Sequence, residues 1–338
     1  MLARVRALVT GCAGFIGSTL TDRLLADGHR VLGVDRRDGR SSQPGDGGNL
    51  TAAHGNPRFT FVQADLVRAD LRPLLAGCDV VFHFAAEPGV RQSWGERFRR
   101  YALDNVVVTQ RLLDASIDQP ERPLIYASSS SVYGERAPAP TQEGTALQPS
   151  SPYSVSKLAG EQLCSAYADG FGVMSRILRL FTVYGPRQRH DMALMRLARS
   201  ALCGEAVTVY GDGAQRRDFT YVQDVVDVAL AAAAANVPPA RVYNVGTGRS
   251  TSLLEAIELV AELSGRNVTA SRGPARAGEV RETCADPTRA REELGIVPTT
   301  PLRDGLAAQL ASVAASPGPS VVLVVAGPSP VGSTRRGV

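Results

Sequence analysis

Arg6-Ala7-Leu8-Val9-Thr10-Gly11-Cys12-Ala13-Gly14-Phe15-Ile16-Gly17 is the stretch whose reading decides the fold. Its first five residues read as a short buried strand. Gly11, Gly14 and Gly17 then form G-x-x-G-x-x-G, and residues 18–27 place Leu20, Leu24 and Leu25 at helical spacing. A glycine turn between strand and helix lets the backbone approach a pyrophosphate. The helix N-terminus adds unpaired N–H groups and the positive end of its dipole. A second strand over residues 29–34 ends at Asp35, 18 residues past Gly17, close to the ~20 expected for an acid that binds ribose hydroxyls. An acid there repels a 2′-phosphate and favours NAD over NADP, although Arg36 and Arg37 have the guanidinium groups to accept one. The pattern predicts a dinucleotide site holding Gly11, Gly14, Phe15, Ile16, Gly17, Asp35 and Arg36.

Strands and helices keep alternating on both sides of this motif. Residues 37–56 are rich in Gly, Ser, Asn and Pro and read as a surface loop. Residues 59–64 form a third strand. Asp65 at its end, followed by Leu66, either meets the adenine or caps the strand. Residues 79–86 form a fourth strand, whose small exit residues Ala85 and Ala86 let a cofactor lie across the strand end. His83 sits inside this apolar strand and reads as a satisfied core residue. Residues 99–117 are predicted to be one helix, with Asn105 either a structural amide or a further cofactor contact. Later strands are expected at 124–127, 174–180, 206–210 and 242–246, and helices at 192–203, 222–235, 252–263 and 288–294.

This alternation predicts an α/β chain: a Rossmann-type doubly wound parallel sheet with a smaller α+β substrate-binding lobe. The expected division gives residues 1–181 and 218–248 to the nucleotide-binding domain and residues 182–217 and 249–314 to the lobe. Residues 315–338, rich in Ser, Pro, Gly and Val, are expected to be a poorly ordered tail.

Composition excludes several classes. The 338 residues are 44% hydrophobic and 21% charged, enough for a full core. The net charge of +4 is too mild and dispersed to argue for nucleic acid. Cys12, Cys78, Cys164, Cys203 and Cys284 are scattered with no C-x-x-C pair, which argues against a zinc site or a disulfide framework and for a reducing cytoplasm. No apolar run approaches the ~20 residues of a membrane span. The first ten residues, which run straight into the nucleotide-binding pattern, are too short for a signal peptide.

The chemistry is carried by Ser151-Pro152-Tyr153-Ser154-Val155-Ser156-Lys157. Serine as a cap and proline at the first helical position start a helix, and the four-residue spacing stacks Tyr153 and Lys157 on one face. An ammonium beside a phenol favours the phenolate, which can take a proton from a sugar hydroxyl while a hydride leaves the same carbon. The serine run of Ser128-Ser129-Ser130-Ser131-Val132-Tyr133-Gly134 would sit at the carboxyl edge of the sheet, where open α/β folds place ligands.

In order and spacing, these motifs and Tyr184-Gly185-Pro186-Arg187 make residues 5–312 resemble the extended short-chain dehydrogenase/reductases, specifically the NAD-dependent nucleotide-sugar epimerases and dehydratases. The resemblance implies Tyr153 as catalytic base, Lys157 as holder of the nicotinamide ribose, and Ser129 as hydrogen-bond partner of the sugar C4 oxygen. It implies Thr182 at the substrate and Arg217 and Arg276 on the nucleotide diphosphate. Dehydratases of this kind carry an Asp–Glu pair where this chain has Ser130-Ser131, which argues against dehydration. UDP-glucuronate 4-epimerases are the nearest resemblance, through the hydroxyl run and the segment from Tyr184 to Met192, although His190 stands where they often have Pro.

Arg187 and Arg189 would then pair with a uronate carboxylate, beside Ser130 and Ser131. UDP-glucuronate decarboxylation remains the alternative, since it shares the 4-keto intermediate, although decarboxylases usually carry Glu at Ser131. A non-catalytic dinucleotide-binding sensor is a third reading. The family resemblance also implies a homodimer and a UDP-sugar substrate.

Overall fold

The computed structural model describes residues 4–39, 48–274 and 280–315. In chain order, the strands of its first half are β1 (Arg6–Thr10), β2 (Arg30–Asp35), β3 (Phe59–Gln63), β4 (Val80–His83), β5 (Leu124–Ser129) and β6 (Ser175–Leu180). The second half adds β7 (Thr182–Tyr184), β8 (Val207–Tyr210), β9 (Arg216–Arg217), β10 (Phe219–Tyr221), β11 (Arg241–Val245), β12 (Thr251–Ser252) and β13 (Ala270–Gly273). The helices are α1 (Phe15–Ala26), α2 (Thr51–His54), α3 (Arg72–Leu75), α4 (Phe98–Tyr101), α5 (Val108–Asp114) and α6 (Pro152–Phe171). They continue as α7 (Ala193–Cys203), α8 (Val222–Ala234), α9 (Leu253–Ser264), α10 (Thr288–Leu294) and α11 (Leu302–Ala315).

Seven strands form one parallel sheet in the order β11-β6-β5-β4-β1-β2-β3. The order reverses between β1 and β4, which opens a crevice at their carboxyl ends. Side chains alternate across the sheet as the strand period requires. Ala7 and Val9 point into a core with Leu20 and Leu24 of α1 and Val225 and Val228 of α8. Leu8 points into the opposite core with Leu112 of α5, Cys164 of α6 and Ile177. A third core, built from Leu194 and Leu197 of α7, Val207, Val209, Val260 of α9 and Leu306 of α11, forms the smaller lobe.

Several elements differ from the sequence reading. The stretch 37–56, read as a surface loop, contains the short helix α2 at Thr51–His54, because Leu50 and Ala53 are buried in the core beside α1. The fourth strand stops at His83 instead of running to residue 86, because β1 ends at Thr10 and Gly11 turns away. Ala85 and Ala86 therefore lie in the exit loop. The helix expected over 99–117 is broken into α4, a π-helical turn at Ala102–Val107, and α5. Such turns insert an extra residue and often mark functional sites. Helix α10, placed with the lobe by sequence, packs on the large sheet, with Ala290 in the same core as Val245 and Tyr243 of β11. The tail from residue 316 onward lies outside the described residues.

Candidate active site

The glycine turn is built for close backbone approach. Gly11 has φ +72, and a Cβ there would fall 2.6 Å from the Ala85 backbone nitrogen, so the two strand exits meet only with glycine. A Cβ at Gly17 would fall 2.2 Å from the Gly11 carbonyl oxygen. Gly14 is the N-cap of α1 and offers no side-chain cap, which leaves the helix's first N–H groups for an anion. Phe15 and Ile16, partly buried, open the helix and pack against the core. Asp35 lies against the turn: one carboxylate oxygen accepts from the Ala13 N–H at 3.1 Å and the other from the Arg37 N–H at 3.0 Å.

Arg36 and Arg37 are both engaged by carboxylates, Arg36 by Asp104 at 2.5 Å and Arg37 by Asp35 at 3.8 Å. That engagement opposes recognition of a 2′-phosphate. The turn continues into a cleft bordered by Asp65, Leu66, Ala85, Ala86 and Arg189. Asp65 also performs the strand-end capping role, accepting from the Val67 N–H at 3.0 Å. The glycine cradle, the uncapped helix N-terminus and the Asp35 carboxylate beside them fit NAD.

Helix α6 starts as its sequence dictates. Ser151 and Ser154 form a reciprocal capping box and Pro152 occupies the first turn. The helix presents Tyr153 half-buried and Lys157 fully buried. Ser129, the last residue of β5, faces the phenol closely enough that its hydroxyl pulls the Tyr153 pKa down. Burial is the larger effect and leaves the phenol raised above its ordinary value, with the Arg189 charge also opposing the rise. Tyr101 holds the Tyr153 ring edge-on at 6.2 Å and donates from its hydroxyl to the Pro88 and Gly89 carbonyls.

The Lys157 ammonium donates to the Ala127 carbonyl at 2.7 Å and lies 5.2 Å over the Tyr126 ring. Burial lowers its pKa to about 8, with Glu161 opposing. In this structure the ammonium is therefore aimed at the end of β5, and Arg189 is the cation whose field acts on the phenol.

The other expected site residues divide. Ser130 and Ser131 form the turn after β5, and the buried Ser131 hydroxyl has no hydrogen-bond partner. Thr182 begins β7, half-buried, with its N–H on the Asp218 carbonyl. Arg189 is held by Asp191 through two bonds of 2.9 Å. Arg187 has φ +68 and pairs with Asp22 of α1 at 2.6 Å, so it ties the β7–α7 loop to the nucleotide-binding half. Arg217 lies in β9 and donates to the Arg216 carbonyl at 2.8 Å. Arg276 lies outside the described residues.

Asn105 has the structural amide role that the sequence left open. It is buried, and its amide bonds the N–H and C=O of residue 87 and the Ser156 hydroxyl. It shapes the cleft by pinning the β4 exit loop to α6. His83 is core, as its surroundings in the sequence suggested: Thr10 and Thr109 hydroxyls bond its two nitrogens and burial pushes its pKa down to about 3.

The sequence reading missed the Arg36–Asp104–Arg100–Glu87 charge chain along the cleft, because its members come from three separated segments. It also missed the buried Glu161–Arg179 pair. Glu161 was detectable as the residue one turn beyond Lys157 on the same face.

Residues 7–246 match the NAD dependent epimerase/dehydratase family. The chain belongs to that family. Among solved structures it is similar to the Bacillus cereus UDP-glucuronic acid 4-epimerase in complex with UDP-glucuronic acid and NAD. The two share 41% identity, 91% of this chain and 99% of that one are covered, and the TM-score is 0.86. A Bacillus subtilis (strain 168) protein described as an uncharacterized UDP-glucose epimerase is 44% identical, covering 91% of this chain and 97% of its own length. The UDP-glucose 4-epimerase of Mycolicibacterium smegmatis is 40% identical over 90% of this chain and 96% of that protein. Family membership makes NAD the cofactor of this chain.

Proposed function

We propose that this chain interconverts UDP-glucuronate and UDP-galacturonate by oxidation and re-reduction at C4. The observation that carries the reading is that the Ser129 hydroxyl and the Arg189 charge both act on the Tyr153 phenol, and that Arg189 borders the cofactor cleft. The similarity to the Bacillus cereus enzyme supports the choice of uronate. Bound NAD supplies a hydride acceptor and donor. Tyr153, as phenolate, takes the proton from the C4 hydroxyl, and Ser129 donates a hydrogen bond to the oxygen as it becomes a carbonyl. Lys157 would hold the nicotinamide ribose. After the sugar turns, Tyr153 would return the proton to the C4 oxygen, and re-reduction on the opposite face would invert C4.

Arg189 and the Ser131 hydroxyl are the groups we assign to the C6 carboxylate. Arg187, committed to Asp22, is assigned to holding the lobe. The carboxylate matters because a 4-keto uronate is a β-keto acid. It loses carbon dioxide once its carboxylate leaves the ring plane, and a preference of ~3 kcal/mol between geometries is about a hundredfold in rate. Ser130 and Ser131 offer no acid–base pair for dehydration. Arg217, with Arg276, is assigned to the diphosphate, Thr182 to the sugar, and Asp65 and Leu66 to the adenine.

The test is incubation of purified protein with UDP-glucuronate, followed by NMR. UDP-galacturonate is the expected product. A UDP-pentose with carbon dioxide would establish decarboxylation instead, and turnover of UDP-glucose alone would refute the uronate assignment. We also read the chain as a cytoplasmic homodimer, with the exposed Phe98, Val107 and Val155 of the α4–α6 region as part of the subunit contact. Sedimentation at the mass of one chain would refute the dimer. Among the described residues no helix is long and apolar enough to cross a membrane.

A further inference from the structure

The elements that carry the reacting groups also carry a buried ion pair that the mechanism above does not use. Glu161 and Arg179 are each 4% exposed at the side chain and meet at 2.7 Å. Arg179 grips the carboxylate with both Nη2 and Nε, the latter at 3.0 and 3.2 Å from its two oxygens. The remaining carboxylate capacity is taken by the Ser128 hydroxyl, which donates to Oε1. Arg179 also donates to the Tyr133 hydroxyl at 2.9 Å and the Glu143 carbonyl at 3.0 Å, and Tyr133 donates to Asn244 at 2.6 Å.

A pair this dry is weak evidence for stability alone, because desolvating both charges offsets much of their attraction. Its location is informative. Ser128 precedes Ser129 on β5, and Glu161 follows Lys157 by one turn of α6. The pair therefore links the strand end carrying the serine to the helix carrying the tyrosine and lysine.

We propose that Glu161 is a positioning residue of the catalytic site: it clamps the Ser128–Ser129 strand end to α6 and supplies the counter-charge of Lys157. The inference rests on the reading of Tyr153 and Lys157 as the reacting pair. The other groups around Lys157 cannot supply that charge. From β4, His83 is neutral, its pKa held down to about 3 by burial and by Lys157 itself. From β5, Tyr126 is a buried phenol raised well above its ordinary value. On α6, Tyr153 is likewise raised, and Cys164 is pushed up to about 12. From β6, Arg179 is a cation already spent on Glu161. Among the described residues, Glu161 is the carboxylate that opposes loss of the lysine's proton.

Glu161→Gln alone would strand Arg179 as an uncompensated buried charge and is expected to unfold the protein. The informative variant is Glu161→Met with Arg179→Met, which replaces the pair by apolar groups of similar volume. Glu161→Asp, which keeps the charge and shortens the reach, is its partner. The double variant is expected to fold and hold NAD. Its kcat should fall about 100-fold, as a misplacement of order 1 Å does. The alkaline limb of its kcat–pH profile should move down, since the carboxylate that raises the Lys157 pKa is lost, with the loss of the Arg179 charge opposing part of the fall.

Glu161→Asp is expected to lose kcat with the limb in place. A readout without substrate is the ultraviolet titration of the Tyr153 phenol, taken as the difference between each protein and its Tyr153→Phe version. The phenolate is expected to form at higher pH in the double variant, because the released strand end withdraws the Ser129 hydroxyl that lowers the Tyr153 pKa. A double variant, or Glu161→Asp, with wild-type kcat, pH limb and phenol titration would overturn the proposal and leave the pair a structural device. If the wild type turns over no UDP-sugar while the phenol titration still shifts, the functional reading fails and this inference stands.

Discussion

Gly160→Ala probes the packing on which the catalytic geometry rests. Gly160 lies on the inner face of α6, three residues past Lys157, against β5. A Cβ there would fall 2.1 Å from the Tyr126 hydroxyl oxygen and 2.5 Å from its ring carbon Cζ. Tyr126 is only 1% exposed and has no room to retreat, so an ordinary contact requires α6 to lift by about 1 Å. The alanine gains about 1 kcal/mol of helix propensity, while overpacking costs about 1–3 kcal/mol, so the net loss is ~0–2 kcal/mol. Catalysis is hit harder. The same lift carries Tyr153 away from Ser129, and a 1 Å error costs about 100-fold in kcat.

The control is Gly170→Ala on the same helix, where a Cβ meets nothing within 4 Å. It should gain up to ~1 kcal/mol and keep full activity. Adding Tyr126→Phe to Gly160→Ala removes the hydroxyl but leaves the ring carbon, so recovery should be partial. Thermal melts and steady-state turnover measure all three. Gly160→Ala with wild-type kcat and a raised melting temperature would refute the claim that contact between α6 and β5 sets the site.

Lys157→Met should abolish turnover yet stabilise the protein at pH 7. The folded value of about 8 lies below the ordinary 10.5, so the folded state resists the charge that the unfolded chain keeps. The penalty is full below pH 8 and disappears as pH rises from 8 towards 10.5, because there the unfolded chain binds more protons. The variant's advantage, on the order of 3 kcal/mol, should fade over the same window; a wild type more stable than the variant at pH 7 in denaturant titration would contradict this. Asp35→Ala should weaken NAD and narrow its preference over NADP, since it removes the repelling carboxylate and releases Arg37. Calorimetric titration with both dinucleotides checks it, and an unchanged ratio would count against the assignment of Asp35.

The sheet was legible because local chemistry dictates it. The glycine turn, the apolar strands and the Ser151–Pro152 helix start are each set by residues adjacent in sequence. His83 could be placed in the core because an imidazole inside an apolar strand with hydroxyls nearby is satisfied without charge. What sequence could not show is long-range partner choice. The break at Ala102–Val107 is invisible to helical periodicity, and it sits where Asn105 reaches residue 87 and Ser156. Arg187 and Arg189 look equivalent in Pro186-Arg187-Gln188-Arg189, and only the turn geometry sends one to Asp22 and the other to the cleft. Arg179, in a strand that otherwise reads as buried, gave no hint of its carboxylate.

The central claim is that the C4 hydrogen of the sugar leaves as hydride and returns to the same carbon. Rapid mixing of the NAD-loaded protein with UDP-glucuronate carrying deuterium at C4 tests it most directly. The account predicts a transient near-ultraviolet absorbance of reduced nicotinamide, slower to rise than with the unlabelled sugar, and a product that keeps its deuterium at C4. Product that has lost the label to solvent, or turnover with no label effect and no reduced cofactor, would contradict it.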